Sequence, residues 1–378
     1  MINFENLSFW EKESFINHSD YIIIGSGIVG LSTAIYLKQR EKGKKVTVLE
    51  RGFLPTGAST KNAGFSCIGS PSELLDDLSK HSKDEVFATV EKRWKGLLNL
   101  NNLLGKENIG YLSLGSHELF EAGKESVYEK CMQNLDDLNL AMSEITGKPR
   151  VFNSADHVCK AAGFDGFNHA ISHAAEGQIN TGQMMKSLLK KAQSLDVQIF
   201  NGIEVKTINS DEIYTNFGKL HFKKLAICTN GFSKQFFPNI DLEPARAQVL
   251  VTSPIENLKV KGIFHFDEGY YYFRNIDNRI LFGGARNLAF EEENTDIIAN
   301  TDKITQHLES ILREKIAPNN NFTVEHKWAG TMGVGQKKNP IMKEVQPNIY
   351  CGIRLGGMGV AIGSLLGKEL AELMTEKN

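Results

Sequence analysis

The chain has 378 residues, with 43 basic and 45 acidic side chains and a formal net charge of −2. That balance excludes the basic surface of a nucleic-acid binder, which needs clustered Lys and Arg to meet phosphates. Apolar residues at 41% and charged residues at 23% exclude a disordered or fibrous chain and leave room for about two domains.

Glycine is in excess, 34 residues against 9 prolines, which points to tight turns near a ligand more than to linkers. Five cysteines, Cys67, Cys131, Cys159, Cys228 and Cys351, are widely spaced with no C-x-x-C pair. Free thiols in a reducing compartment, with no metal site, are expected. Met1 to Asp20 lacks the basic-then-apolar pattern of a secretion signal. No apolar run approaches the ~20 residues that span a bilayer, so a soluble, cytoplasmic protein is expected.

In chain order, Tyr21–Ile24 reads as a buried strand that stops at Gly25. Ile28–Gln39 has helical apolar spacing, and Val46–Leu49 is a second strand closing on Glu50. Helices are predicted near Ser72–Lys80, Asp84–Leu104, Glu125–Thr146 and Thr181–Ser194. Strands follow at Val197–Phe200, Glu204–Ile208, Glu212–Thr215, Leu220–Cys228, Gln248–Thr252, Tyr270–Phe273, Ile280–Phe282 and Thr323–Trp328. Thr301–Ile316 and Ile362–Met374 are further helices. With no Ser/Pro linker, two domains would have to interleave.

Gly25-Ser26-Gly27-Ile28-Val29-Gly30 is a G-x-G-x-x-G string between strand and helix, and Glu50 follows at the end of the next strand. That context is the dinucleotide-binding fingerprint. Gly25 permits the turn, Gly27 removes a Cβ from the path of a pyrophosphate, and Gly30 lets helix pack on strand. Helix N–H groups at Ile28 would meet the anion, while Glu50 would accept ribose hydroxyls and repel a 2′-phosphate. The next stretch, Arg51 to Phe65, breaks from a βαβ pattern into small and hydroxyl residues, a better cofactor cradle than connector.

Here the sequence resembles the FAD-dependent amino-acid and amine oxidoreductases: D-amino-acid oxidase, glycine oxidase, sarcosine oxidase and γ-glutamylputrescine oxidase. The resemblance runs through Glu50-Arg51, Gly57-Ala58-Ser59, Asn62-Ala63-Gly64, Ala175-Glu176-Gly177, Gly202-Ile203-Glu204-Val205, Ala226-Ile227-Cys228-Thr229-Asn230-Gly231, Trp328-Ala329-Gly330 and Gly356-Gly357-Met358-Gly359-Val360. It implies an α/β fold, with a Rossmann-like FAD-binding domain interleaved with an α+β substrate domain carrying a mixed sheet. The expected segments are FAD-binding at 1–82, 149–235 and 323–378, and substrate or helical at 83–148 and 236–322. It implies FAD contacts from Gly25, Gly27, Ile28, Gly30, Glu50, Arg51, Ala58, Ser59, Asn62, Ala63, Gly64, Phe65, Val205, Thr229, Gly231, Gly357, Met358, Gly359 and Val360.

The implied reaction is oxidation of a primary or secondary amine (a D-amino acid, N-substituted glycine or polyamine derivative), by hydride transfer to flavin N5 and imine hydrolysis. Oxygen or another acceptor would take the electrons. Relatives that tether the flavin use a His near the Asn62 position or a Cys after Trp-Ala-Gly. Neither stands here, so FAD is expected to be non-covalent, and Cys67 reads as a small buried thiol. Two other readings remain: an FAD-dependent 2-hydroxy-acid or alcohol dehydrogenase of the same fold, and a flavin-binding protein without turnover.

For the substrate, alternation places Tyr270 and Tyr272 on one strand face and Tyr271 on the other. Amino-acid-oxidising relatives often place an Arg two residues after the Trp-Ala-Gly glycine, where Met332 stands here. Either another Arg grips the carboxylate, Arg354 being the first candidate and Arg286 the second, or the substrate is an amine without one. Lys259 and Lys261 are positional guesses for a charge near the flavin. His169 and His173, four apart, could share a helix face, but with no third ligand nearby they are not read as a metal site, and Glu291-Glu292-Glu293 reads as a solvated loop.

Overall fold

The computed structural model describes residues 4–16 and 19–376; the extreme ends of the first and last expected segments lie outside these. Two eight-stranded sheets organise the chain. In the first, strand Ser19–Ile24 pairs in parallel with Val46–Glu50 on one side and Gly218–Ile227 on the other. Ile349–Ile353 and Gln198–Asn201 extend the parallel set outward. Ile22, Ile23 and Ile24 are buried, as parallel strands covered on both faces require. Helix Ile28–Arg40 covers one face, held by helices Lys83–Leu104, Thr181–Ser194 and Gly359–Thr375.

The second sheet runs in the order Val324–Val334, Glu243–Thr252, Arg279–Gly284, Tyr271–Ile276, Ile263–Phe266, Ser116–Glu121, Phe167–His173, Phe152–Ser154. Its far face is an aromatic core of Phe264, Phe266, Tyr271, Phe273 and Phe282, closed by Ile304 and Leu308 of helix Asp302–Ile311. The chain crosses between the sheets repeatedly, so the interleaved α/β arrangement holds. Sheet membership does not follow the order of the chain. Strands Phe152–Ser154 and Phe167–His173, inside 149–235, and Val324–Val334, inside 323–378, belong to the second sheet. Their hydrogen bonds come from partners far away in sequence, which local patterning does not register.

Several elements depart from the sequence reading. The span Glu125–Thr146 is two helices meeting at Asn134. Strands Ser116–Glu121, Phe152–Ser154, Ile263–Phe266 and Ile341–Gln346 went unread. His169 and His173 lie on a strand, each beside its own carboxylate, Asp156 and Glu176. Among the described residues no helix is long and apolar enough to cross a membrane.

Candidate active site

A cavity of about 750 Å³ runs from the ends of the first parallel strands to the near face of the second sheet, a size suited to a small molecule or cofactor. The fingerprint turn forms one end. Gly25 has φ +99°, and a Cβ there would stand 2.9 Å from the Cys228 carbonyl. A Cβ on Gly30 would stand 1.9 Å from the Gly25 carbonyl, so only glycine lets this helix seat on its strand. Gly27 faces the cavity, where Ser59 Oγ accepts the Ile28 N–H at 2.9 Å. Glu50 is buried at this end; its carboxylate accepts Ser26 N–H at 3.1 Å, Ser26 Oγ–H at 2.7 Å and Gly52 N–H at 2.9 Å. Arg51 lies over the Phe232 ring at 4.1 Å, a cation–π contact, and Val205 and Thr229 complete the wall.

Ala58, Ser59, Asn62, Ala63 and Phe65 line the middle of the cavity, and Gly357, Met358, Gly359 and Val360 line it from the C-terminal turn. Three expected residues stand behind the wall. Gly30 acts through packing. Gly64, with φ +79°, leaves room for Arg274 and the Ile179 carbonyl, and Gly231 leaves room for the Met332 carbonyl. Sequence spacing finds such glycines but does not tell contact from close packing.

The second sheet supplies the opposite wall. Cross-strand register aligns Glu118, His265, Tyr272, Gly283, Val249 and Trp328 in one row on its near face. A Cβ on Gly283 would meet the Tyr272 ring at 2.6 Å, so glycine there lets the tyrosine lie across the sheet. Tyr272 packs edge-on against Phe65, with centroids 5.4 Å apart, and burial pushes its phenol up to about 12. Tyr270 also lines the cavity, whereas Tyr271 turns into the far core, its hydroxyl 3.0 Å from His307 Nε2. The alternation read from sequence places all three.

Arg354 is a correction. It lines the cavity, but its guanidinium donates to the Asp241 carboxylate and carbonyl and twice to the Asn339 carbonyl. A side chain so occupied clamps loops and has little left for a substrate. Met332 contacts the C-terminal turn, with Sδ 3.4 Å from a Cβ position on Gly357. Lys259 and Lys261 lie off the cavity lining.

Arg286 is free in the way Arg354 is not. It lines the cavity next to Tyr270 and above Phe290, 4.9 Å from that ring. It donates to Asn294 Oδ1 at 2.5 Å, and its buried Nε has no partner. Among the lining residues that sequence reasoning missed are Lys61, Arg93, His265 and Glu176. No short-range pattern signals these residues, because they arrive from separate elements. Cys67 also lines the cavity; burial, together with the nearby Glu176, pushes its thiol well up.

A fingerprint turn at a parallel sheet edge, opening on a cavity walled by a second, aromatic-bearing sheet, is an arrangement suited to a dinucleotide cofactor with a small substrate beside it. A family profile described as FAD dependent oxidoreductase matches residues 20–373, and the chain belongs to that family. The chain is 25% identical over 94% of its length to a probable oxidoreductase OrdL of Haemophilus influenzae, covering 83% of that protein. It is 22% identical over 97% of its length to a sarcosine oxidase subunit beta of Rhodobacter capsulatus, covering 87% of it. A crystal structure of glycine oxidase from Geobacillus kaustophilus superposes with TM-score 0.75 at 17% identity, over 96% of each chain. That last likeness shows the fold.

The cavity residues fit FAD. Gly57 and Gly359 line the cavity with nothing within 4 Å of their Cβ positions, and Glu50 holds a carboxylate at the end of the second strand. Gly25–Ile28, Glu50, Arg51 and Val205 would hold the adenosine and pyrophosphate half, and Ala58–Phe65 with Gly357–Val360 the ring half. Two substitutions separate the glycine roles. Gly27→Val is expected to leave a folded protein that binds FAD roughly 10–100-fold more weakly, as overpacking by about 1–3 kcal/mol implies. Gly30→Val, against backbone, is expected to lower the melting temperature even without FAD. Titration by flavin fluorescence and thermal melts check the pair.

Proposed function

We propose that this FAD-dependent oxidoreductase oxidises a primary or secondary amine that carries a carboxylate, an N-substituted glycine or D-amino acid being the simplest case. Arg286 carries this reading: a cavity-lining guanidinium with a buried, unpartnered Nε beside an aromatic wall. A buried donor without a partner costs about 1–3 kcal/mol, which a bound carboxylate would offset. FAD, when bound, supplies the two-electron acceptor for the carbon–hydrogen bond next to nitrogen. The protein's work is to hold the substrate between Arg286 and Tyr272, exclude water with Tyr270 and Phe65, and manage the amine proton. The names of the relatives, sarcosine oxidase and glycine oxidase, support this substrate class.

The test is the visible spectrum of the purified protein, followed by anaerobic mixing with glycine, sarcosine, D-alanine and γ-glutamylputrescine. A flavin band that acid precipitation releases to the supernatant, and that sarcosine or an amino acid bleaches with release of ammonia or a shorter amine, is the expected result. A flavin that a 2-hydroxy acid bleaches while every amine fails would overturn it.

A further inference from the structure

We infer that His265 accepts the proton a substrate ammonium must lose before oxidation, with the buried carboxylates of Glu118 and Glu176 balancing the charge it gains. This rests on the amine reading above.

His265 stands on strand Ile263–Phe266, directly across from Tyr272 on one side and Glu118 on the other. It lines the cavity and is 9% exposed. Behind it lies a closed set of titratable groups. Glu118 is 2% exposed and accepts Ser72 N–H at 3.2 Å, Ser70 Oγ–H at 3.3 Å and Ser72 Oγ–H. Glu176 is 1% exposed and accepts Ile68 N–H at 2.6 Å, Gly69 N–H at 3.2 Å and Ser116 Oγ–H at 2.5 Å. His173, with Nδ1 taking the Ala175 N–H, turns Nε2 toward Glu176 at 3.6 Å. His117 on the neighbouring strand also interacts electrostatically with His265.

Two buried carboxylates need nearby positive charge. Both interact electrostatically with His265, and Glu176 also with His173. Burial pushes the Glu118 carboxyl up against the opposing pull of His265 and Ser72, but Glu118 does not line the cavity and stands away from a substrate. The Glu176 carboxylate already takes the Ile68 N–H, the Gly69 N–H and the Ser116 Oγ–H, bonds that favour its charged form and leave it a weak base. Tyr272 and Cys67 are pushed up and keep their protons. His265 is the imidazole of the row, and it lines the cavity where a substrate ammonium would lie.

The balance is simple. One N–H bond of the ammonium breaks; the proton goes to a ring nitrogen of His265 and the electron pair stays on nitrogen. That pair is then available to form the C=N bond, with FAD, when bound, supplying the acceptor for the two electrons of the C–H bond. Water hydrolyses the iminium, and His265 releases its proton to solvent.

The experiment compares FAD-loaded wild type, His265→Asn and Glu118→Gln for anaerobic flavin bleaching by glycine, sarcosine and D-alanine from about pH 6 to about pH 10. His265→Asn is expected to be roughly 100-fold slower near pH 7. It should regain nearly the wild-type rate at the alkaline end, where the amine arrives neutral. Its FAD affinity and visible spectrum should not change. Glu118→Gln should move the acidic limb of the wild-type profile to lower pH, since removing a neighbouring anion disfavours the imidazolium.

Equal rates near pH 7, or a deficit that alkaline pH does not repair, would overturn the role of His265. Should His265→Asn fail to load FAD, an unmoved limb in Glu118→Gln overturns it. A wild-type flavin that no amine bleaches is a different result: it removes the amine reading first and this proposal with it.

Discussion

Arg286→Met should lower kcat/KM for carboxylate-bearing amines by roughly 30-fold to several thousand-fold. This is the about 2–5 kcal/mol that truncating one member of a buried charge pair costs. An amine without a carboxylate should be oxidised about as well as by wild type, because the lost contact is to the carboxylate alone. FAD content should not change, since Arg286 packs beside Tyr270 and Phe290, away from the fingerprint turn and the residues proposed to hold FAD. The check is steady-state kinetics on sarcosine and a carboxylate-free N-methyl amine. If sarcosine is oxidised within threefold of wild type, Arg286 does not grip it. Lys61, a cavity-lining cation with no ion pair among the described residues, becomes the next choice.

Removing Arg246 should be the most destabilising single change outside the FAD fingerprint. Arg246 and Glu293, 6% and 1% exposed, form a forked ion pair: Nε donates to Oε2 at 2.9 Å and Nη2 to Oε1 at 2.7 Å. Gln248 adds a third donor at 3.0 Å. Arg246→Met leaves Glu293 buried and nearly unpaired, which costs about 3–5 kcal/mol. The double change Arg246→Met, Glu293→Leu should recover most of that, because the desolvation of two charges disappears along with their attraction. Urea unfolding of the FAD-loaded proteins tests both.

A functional consequence follows. Gln248 also takes the Thr301 N–H at 2.8 Å, so strand Glu243–Thr252 anchors the long connection 285–301 at Glu293 and at Thr301. Arg286 and Phe290 ride on that connection. Arg246→Met should therefore raise KM for a carboxylate substrate more than it lowers flavin binding, which the same kinetics and an FAD titration would show.

The Glu291–Glu293 run shows where reading by composition stops. Three consecutive acids look like a solvated loop, and Glu291 and Glu292 are exposed. Glu293 is buried because Arg246 lies 47 residues earlier on a strand that happens to face it. Arg354 failed in the opposite sense. Its place two residues ahead of Gly356 suggested a pocket, and it lines one, yet Asp241 and Asn339 had already claimed its donors.

By itself the sequence determined what depends on neighbours in the chain. The fingerprint turn, helix Ile28–Arg40, Glu50 at its strand end, the alternation of Tyr270, Tyr271 and Tyr272, and helix Thr181–Ser194 all follow from steric freedom at glycine and from periods of 2 and 3.6. Tertiary structure alone decided which long-range partners each charge meets. It placed Glu118, His265 and Tyr272 in one row from three strands, left Arg286 without a full set of partners and gave Arg354 its own. Strand register and the cost of burying unpaired charge set those outcomes. Both depend on residues brought together only when two interleaved sheets close on one cavity.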